Sequence, residues 1–254
     1  MSDATESILV CEGFHDRAFL QGWLTTRGWV PWKNKKYEPL GKLVKSEGIF
    51  AFHLPDSGWV RVVPSKGKPN ISRVATDEVD SARTRRIQRV VIVWDDDRAA
   101  SEDSTQSVVQ AFSDWAEGVG AVRVDGTNEY KLPDGILATR LCSMVLGAAD
   151  DHADTLPPKQ TLERLVCAAL RDADPKRAEH VAQWIAARPS PPASEKLHKT
   201  HAASHMAGWY SDHGYEDFFR TIWNDAKVRG ALERRLDAIG ATRILASLVA
   251  PSPA

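Results

Sequence analysis

Ile8-Leu9-Val10-Cys11-Glu12-Gly13-Phe14-His15-Asp16 and Val90-Val91-Ile92-Val93-Trp94-Asp95-Asp96-Asp97 decide the fold of this chain. Each is an apolar, β-prone run that stops abruptly at carboxylates. Such runs, bounded by polar residues, predict strands buried in a parallel sheet. In open α/β sheets, ligands lie beyond the carboxyl ends of the strands, and both acidic groups fall at such an end. If the two strands are neighbours, Glu12, Asp95 and Asp97 converge. Crowded carboxylates repel one another unless positive charge neutralises them. Mg²⁺ meets that need, because it prefers hard oxygen ligands and takes one or two carboxylates with water and substrate phosphate. The competing reading of Glu12 is a salt bridge to a neighbouring Lys or Arg.

Asp95 and Asp97 alternate on an extended segment, so they share a face and Asp96 takes the other. The pair is therefore the candidate ligand set, with Asp96 an exposed residue or a helix-cap group. Alternatively, the whole triplet caps the segment that follows. Asp16 stands one helical turn beyond Glu12. It reads as an outer ligand, as a ligand of a second ion, or as a first-turn carboxylate favoured by the helix dipole.

Working outward, strand one spans about 7–12 and a helix about 15–28. Phe19, Leu20, Trp23 and Leu24 stripe one face of that helix, and Gly28 suits its C-terminal stop. The helix N-terminus directs its N–H groups at the same place as the carboxylates, a phosphate-binding arrangement. Residues 30–73 are the most basic region, with Lys33, Lys35, Lys36, Lys42, Lys45, Lys66 and Lys68. They read as a surface for a phosphate backbone or as solvated loop lysines. Gly48–Phe52 and Trp59–Val63, separated by Pro55-Asp56-Ser57-Gly58, predict a β-hairpin. Asp77–Arg86 predicts a short helix, Ser104–Val119 another, and Ala121–Val124 a short strand.

Helical patterns follow at about 136–147, 159–172, 175–187, 195–211 and 215–248, with a proline-rich link at 188–194. His198, His201 and His205 fall at i, i+3, i+7, which suits a polar helix face better than zinc, since no Cys or close carboxylate is placed to help.

The chain has 254 residues, net charge −1, 43% hydrophobic and 26% charged residues. That balance is globular and advertises no polyanion partner, so nucleic acid would need a local basic patch or a metal. Cys11, Cys142 and Cys167 lie in apolar runs without metal-ligand spacing and read as buried free thiols of a reducing cytoplasm. No run approaches the ~18 apolar residues of a membrane span, and the polar N-terminus lacks a secretory signal. No Gly-x-x-x-x-Gly-Lys-Ser/Thr loop is present, so the chain carries no P-loop ATPase of its own.

Glu12-Gly13 after the first strand and Asp95-x-Asp97 after a later one, about eighty residues on, resemble the Toprim domain. That domain occurs in topoisomerases, bacterial primases, small RNA-maturing nucleases and the OLD-family nucleases. Asp16 matches the Glu-x-x-x-Asp spacing of OLD-like and stand-alone Toprim nucleases. The resemblance covers about the first half of the chain. It implies an α/β, Rossmannoid, mostly parallel sheet flanked by helices over 1–135, with the lysine-rich hairpin insertion at about 30–73. A helical region, 136–254, would pack on that core.

The resemblance further implies one or two Mg²⁺ (or Mn²⁺) ions on Asp95, Asp97 and Asp16, with Glu12 as general acid/base or further ligand. The glycine usual after Asp-x-Asp is absent, Arg98-Ala99-Ala100 standing there. Glu129, Lys131, Asp134, Asp150, Asp151 and Lys196 all remain open as the family's downstream acids and lysine. The expected function is a cytoplasmic, metal-dependent nuclease acting on DNA or RNA, with Lys33, Lys35, Lys36, Lys66 and Lys68 receiving the backbone. A separate ATPase partner and a role in phage defence or DNA repair accompany it. The alternative is a Toprim-like regulatory or interaction subunit with weak or absent catalysis.

Overall fold

The structure is a computed structural model that describes residues 4–43, 50–54, 58–97, 106–148, 151, 153, 155–187, 203, 207 and 215–248. Residue contacts divide the chain into two compact units. The first holds Met1–Trp94, Thr105–Met144 and Arg243–Ala254; the second holds Asp95–Ser104 and Val145–Thr242.

Strand β1 (Glu6–Cys11) is buried along its whole length, its apolar run Ile8–Cys11 preceded by the buried polar residues Glu6 and Ser7. Helix α1 (Phe14–Thr26) follows, with Gly13 as its extended N-cap. It stops where Gly28 takes φ +87°, a conformation that favours glycine. β2 (Val30–Pro31), β3 (Lys36–Tyr37) and β4 (Lys42–Leu43) are two-residue strands. The predicted hairpin is present as β5 (Phe50–Leu54) and β6 (Gly58–Pro64), antiparallel with Phe52 opposite Val60; its turn, 55–57, lies outside the described residues.

Helix α2 (Ile71–Ala82) starts six residues before the predicted Asp77 and ends before Arg86. Its inner face is Ile71, Ala75, Glu78, Val79 and Ala82, where two alanines and a buried glutamate weaken the apolar signal. β7 (Ile87–Asp95) is buried from Ile87 to Trp94, and α3 (Gln106–Gly118), β8 (Val122–Arg123) and β9 (Tyr130–Lys131) follow.

The segment Arg140–Leu146, expected within a helix, is strand β10. Its Leu and Met favour helices intrinsically, but burial beside β7 in the sheet overrides that weak preference.

The eight strands run β2-β5-β6-β1-β7-β10-β9-β8, and β3 and β4 form a separate pair. β6, β1 and β7 are parallel at the centre. The outer pairs β2–β5, β5–β6, β8–β9 and β9–β10 are antiparallel. α1 packs against β5 and β6, and α2 against β1. The expected α/β class is therefore observed, with a mixed sheet that is parallel in the middle.

In the second unit, α4 (Leu162–Ala173) buries Leu165, Val166, Ala168, Ala169 and Leu170 and packs against α5 (Pro175–Ala186). The predicted long helix at 215–248 is three helices, α6 (Tyr215–Thr221), α7 (Ala226–Ala238) and α8 (Ala241–Ala246). Asp225 interrupts it by capping α7, its carboxylate accepting from the N–H groups of Lys227 and Val228. α4 also packs on α7. Arg235 of α7 grips Asp172 of α4 at 2.7 and 2.9 Å.

Candidate functional site

The central strands run out together. Cys11 is opposite Val93 on β7 and opposite Pro64 on β6. The residues that follow are Glu12 on one strand, Trp94 and Asp95 on the second, and Ser65 on the third.

The turn after β6 is fastened to the turn after β1. Ser65 N–H donates to the Cys11 carbonyl and Gly67 N–H to the Glu12 carbonyl, both at 2.8 Å. Ser65 Oγ donates to the same Glu12 carbonyl at 3.2 Å. Lys66 and Gly67 take φ +62° and +119° to make this return. The main chain at Glu12 is thereby held between two turns, and its side chain is half-buried.

Asp16 is buried, and its Oδ2 accepts from the Gly13 N–H at 2.8 Å. This is the first-turn capping role, and it fixes the carboxylate's orientation. A Cβ on Gly13 would stand 3.5 Å from Asp16 Oδ2, an ordinary contact, so space does not demand glycine there.

Arg17 is buried beside them, its guanidinium 4.2 Å from the Phe50 ring centroid and 4.7 Å from that of Phe14. Lys33 Nζ lies 4.8 Å from the Phe50 centroid, so two cations share one ring. The Cys11 thiol registers the local field. Burial pushes it well up, the Asp16 charge pushes it further, Arg17 pulls it back, and Glu12 raises it again.

The Asp95–Asp97 group is organised differently from the prediction. β7 ends at Asp95, and Asp97 takes φ +59°, so the extended alternation that would align Asp95 with Asp97 does not continue. Asp96, expected to be exposed or capping, is buried. Asp95 Oδ1 accepts from the Leu162 N–H at 2.7 Å, at the first residue of α4. The capping idea thus holds for Asp95, but toward a helix far along the chain. Asp97 N–H donates to the Gln160 carbonyl at 3.0 Å. Gln160 in turn brackets Ala148, accepting from its N–H at 2.8 Å and donating to its carbonyl at 3.4 Å. Arg98-Ala99-Ala100 lies outside the described residues.

Among the described residues, no group of three or more His, Cys, Asp or Glu side chains is placed to hold a metal ion. A closed all-protein cage is therefore not what these residues build. Mg²⁺ is usually held by one or two carboxylates with substrate phosphate and water completing its shell. Asp16 in the first unit and Asp95 in the second are each oriented by a backbone N–H.

The lysines divide. Lys66 and Lys68 belong to the turn after β6 and the short helix that follows it, and Lys33 stands over the Phe50 ring. Lys35 Nζ lies 4.6 Å from the Trp32 centroid, and Trp32 packs edge-on to Trp59. Lys36 precedes Tyr37, whose hydroxyl donates to Glu6 Oε2 at 2.7 Å, at the amino end of β1. Lys35 and Lys36 therefore lie away from the Glu12 turn.

Of the downstream candidates, Glu129 pairs with Arg89 at 3.1 Å and Asp134 with Arg83 at 2.8 Å. Asp151 is clasped by Arg171 and Arg235, and Lys131 is exposed. Asp150, Lys196, His198, His201 and His205 lie outside the described residues. The anchoring role of Ser65 and the burial of Arg17 carry no motif that periodicity could have flagged.

No family model matches the chain, and no curated protein matches it. Among solved structures, it is similar to the hypothetical protein PH0156 from Pyrococcus horikoshii OT3. The TM-score is 0.64 at 16% identity, covering 97% of this chain and 100% of that one. At that identity the likeness concerns the fold. No helix among the described residues is long and apolar enough to cross a membrane.

Proposed function

We propose that this chain is a Toprim-like nuclease that cleaves DNA or RNA phosphodiesters with Mg²⁺ or Mn²⁺, the ion completing its shell with the substrate phosphate. The supporting observation is the parallel register of β1 and β7, with Cys11 opposite Val93, which ends both strands in carboxylates at one edge of the sheet. The acids of this proposal are Glu12 and Asp16 of the first unit and Asp95 and Asp97 of the second. A bound ion would neutralise the phosphate and stabilise the departing oxygen. Glu12 would hold or move the proton of the attacking water. Arg17 and Lys33 over the Phe50 ring, and Lys66 and Lys68 after β6, would supply positive charge for the backbone, while Lys35 and Lys36 would extend the track elsewhere. A cytoplasmic setting, a separate ATPase partner and a role in phage defence or DNA repair accompany this proposal.

Incubating the purified chain with plasmid and with RNA in Mg²⁺ or Mn²⁺, beside Glu12→Gln and Asp95→Asn, tests it. Cleavage by the wild type with loss in both variants is expected. Equal cleavage by all three would place the chemistry elsewhere.

One observation favours a second function. The Asp95 carboxylate already serves the Leu162 N–H, as in a regulatory or interaction subunit that binds metal weakly. Titration calorimetry with Mn²⁺ separates the two: no heat at a few millimolar supports the subunit.

A further inference from the structure

At the opposite end of the same strands lies a cleft of about 800 Å³ within the first unit. Its cationic lining is Lys36, Arg85 and Arg86, its acidic lining Glu6 and Glu38, and its apolar lining includes Leu40 and Ile136. We propose that this cleft binds a small organic phosphate of up to nucleotide size, the phosphate between Arg86 and Lys36 and the organic body against Leu40 and Ile136.

The charges beneath the cleft are accounted for before the ligand arrives. Glu6 is 1% exposed; its Oε2 accepts from Tyr37 Oη at 2.7 Å and faces Arg61 Nε at 3.4 Å. Arg61 forks onto Glu78 at 2.8 and 2.5 Å, and Arg85 closes the set by pairing with Glu6 Oε1. Two carboxylates thus balance two guanidiniums. Arg86 stands outside this set of ion pairs, and its Nε, like that of Arg85, is buried without a hydrogen-bond partner among the described residues. A buried guanidinium N–H without an acceptor is costly, and an anion supplies the acceptor.

Lys36 is exposed at the cleft and adds a second positive charge, which favours a dianion. Glu38 opposes it from an exposed position where solvent screens the repulsion. Ile136 is 47% exposed, unusual for a large apolar side chain and suited to an organic body. The volume matches the ~300–1,000 Å³ of small-molecule sites.

Titration calorimetry on the full chain with adenosine 5′-monophosphate, inorganic phosphate and adenosine tests this. The monophosphate is expected to bind most tightly, and adenosine at least about tenfold more weakly. Arg86→Ala and Lys36→Ala should each weaken the monophosphate about tenfold, while Lys68→Ala leaves it unchanged. Because Lys36 is exposed, its variant remains informative if Arg86→Ala fails to fold. Silence of the monophosphate at about 1 mM, equal binding of adenosine, or full affinity in Lys36→Ala would overturn the proposal. The Glu12 and Asp95 variants leave this cleft untouched, so its failure is separable from failure of the nuclease.

Discussion

Asp95 Oδ1 accepts a hydrogen bond from the backbone N–H of Leu162, 67 residues further along the chain, at 2.7 Å. Helix α4 has Thr161 at its N-cap position without a side-chain cap bond, so Asp95 does that work from a distance. Loss of a cap costs about 0.5–2 kcal/mol. Asp95→Ala should lower stability in urea by about 1 kcal/mol, and Asp95→Asn, which keeps an acceptor, by less. Unchanged midpoints in both would remove the structural role and leave the carboxylate to a ligand.

Acid should loosen the second unit through Asp151. Burial alone would push its carboxyl up. The Ala153 N–H and the Arg171 and Arg235 guanidiniums outweigh that and hold it below the ordinary carboxylate range. A carboxyl lower in the folded than in the unfolded state stabilises fully above its unfolded value of about 3.9. That contribution fades as pH falls through the folded value. Comparing wild type with Asp151→Asn between pH 7 and pH 3, the gap in stability should close toward the acid end. A constant gap would show that the ion pairs do not matter.

Removing one partner of the buried Arg61–Glu78 pair should be severe. Arg61 is 3% exposed and Glu78 8%, so Glu78→Ala leaves a guanidinium short of one of its two acids. About 3 kcal/mol of stability should be lost, measurable by chemical denaturation. Replacing Arg61 and Glu78 together by Met and Leu should recover much of it, because burial of an unpaired charge dominates the penalty.

Cys11, Cys142 and Cys167 are all free and buried. Burial raises all three, with Cys142 pushed up to about 12 by burial, against the opposing pull of Arg89. Thiolate is the reactive form. Native protein at pH 8 should therefore react slowly with an aromatic disulfide reagent, and unfolded protein should release three equivalents. Rapid native labelling of even one would mean that its surroundings open readily.

The two strands that anchor the fold were readable because each is an uninterrupted apolar run, and a fully buried central strand needs nothing else. The hairpin was readable from its turn residues. The segment 140–146 was not, because a short apolar stretch with Leu and Met serves helix or strand equally until its neighbours are known. The turn at Glu12 followed from its sequence, but the reversal at Asp97 did not: aspartate with positive φ has no pattern of its own. The amino-end cleft was invisible for a different reason. Its residues come from the chain near 4–6, 36–41, 84–86 and 136, and only the assembled sheet makes them neighbours.

Ser7 Oγ and Gln88 Nε2 both donate to the Leu248 carbonyl, at 3.2 and 2.9 Å. A hydroxyl on the first strand and an amide on the seventh thus wait for an acceptor 241 and 160 residues downstream. During synthesis the middle of the sheet can collapse early, with Gln88 Nε2 donating to Ser7 Oγ at 3.0 Å, yet the carbonyl that both groups share is missing until the ribosome has delivered residue 248. Closure of that long loop is slow by its topology, and a nascent chain held short of it is the form most exposed to chaperones and proteases.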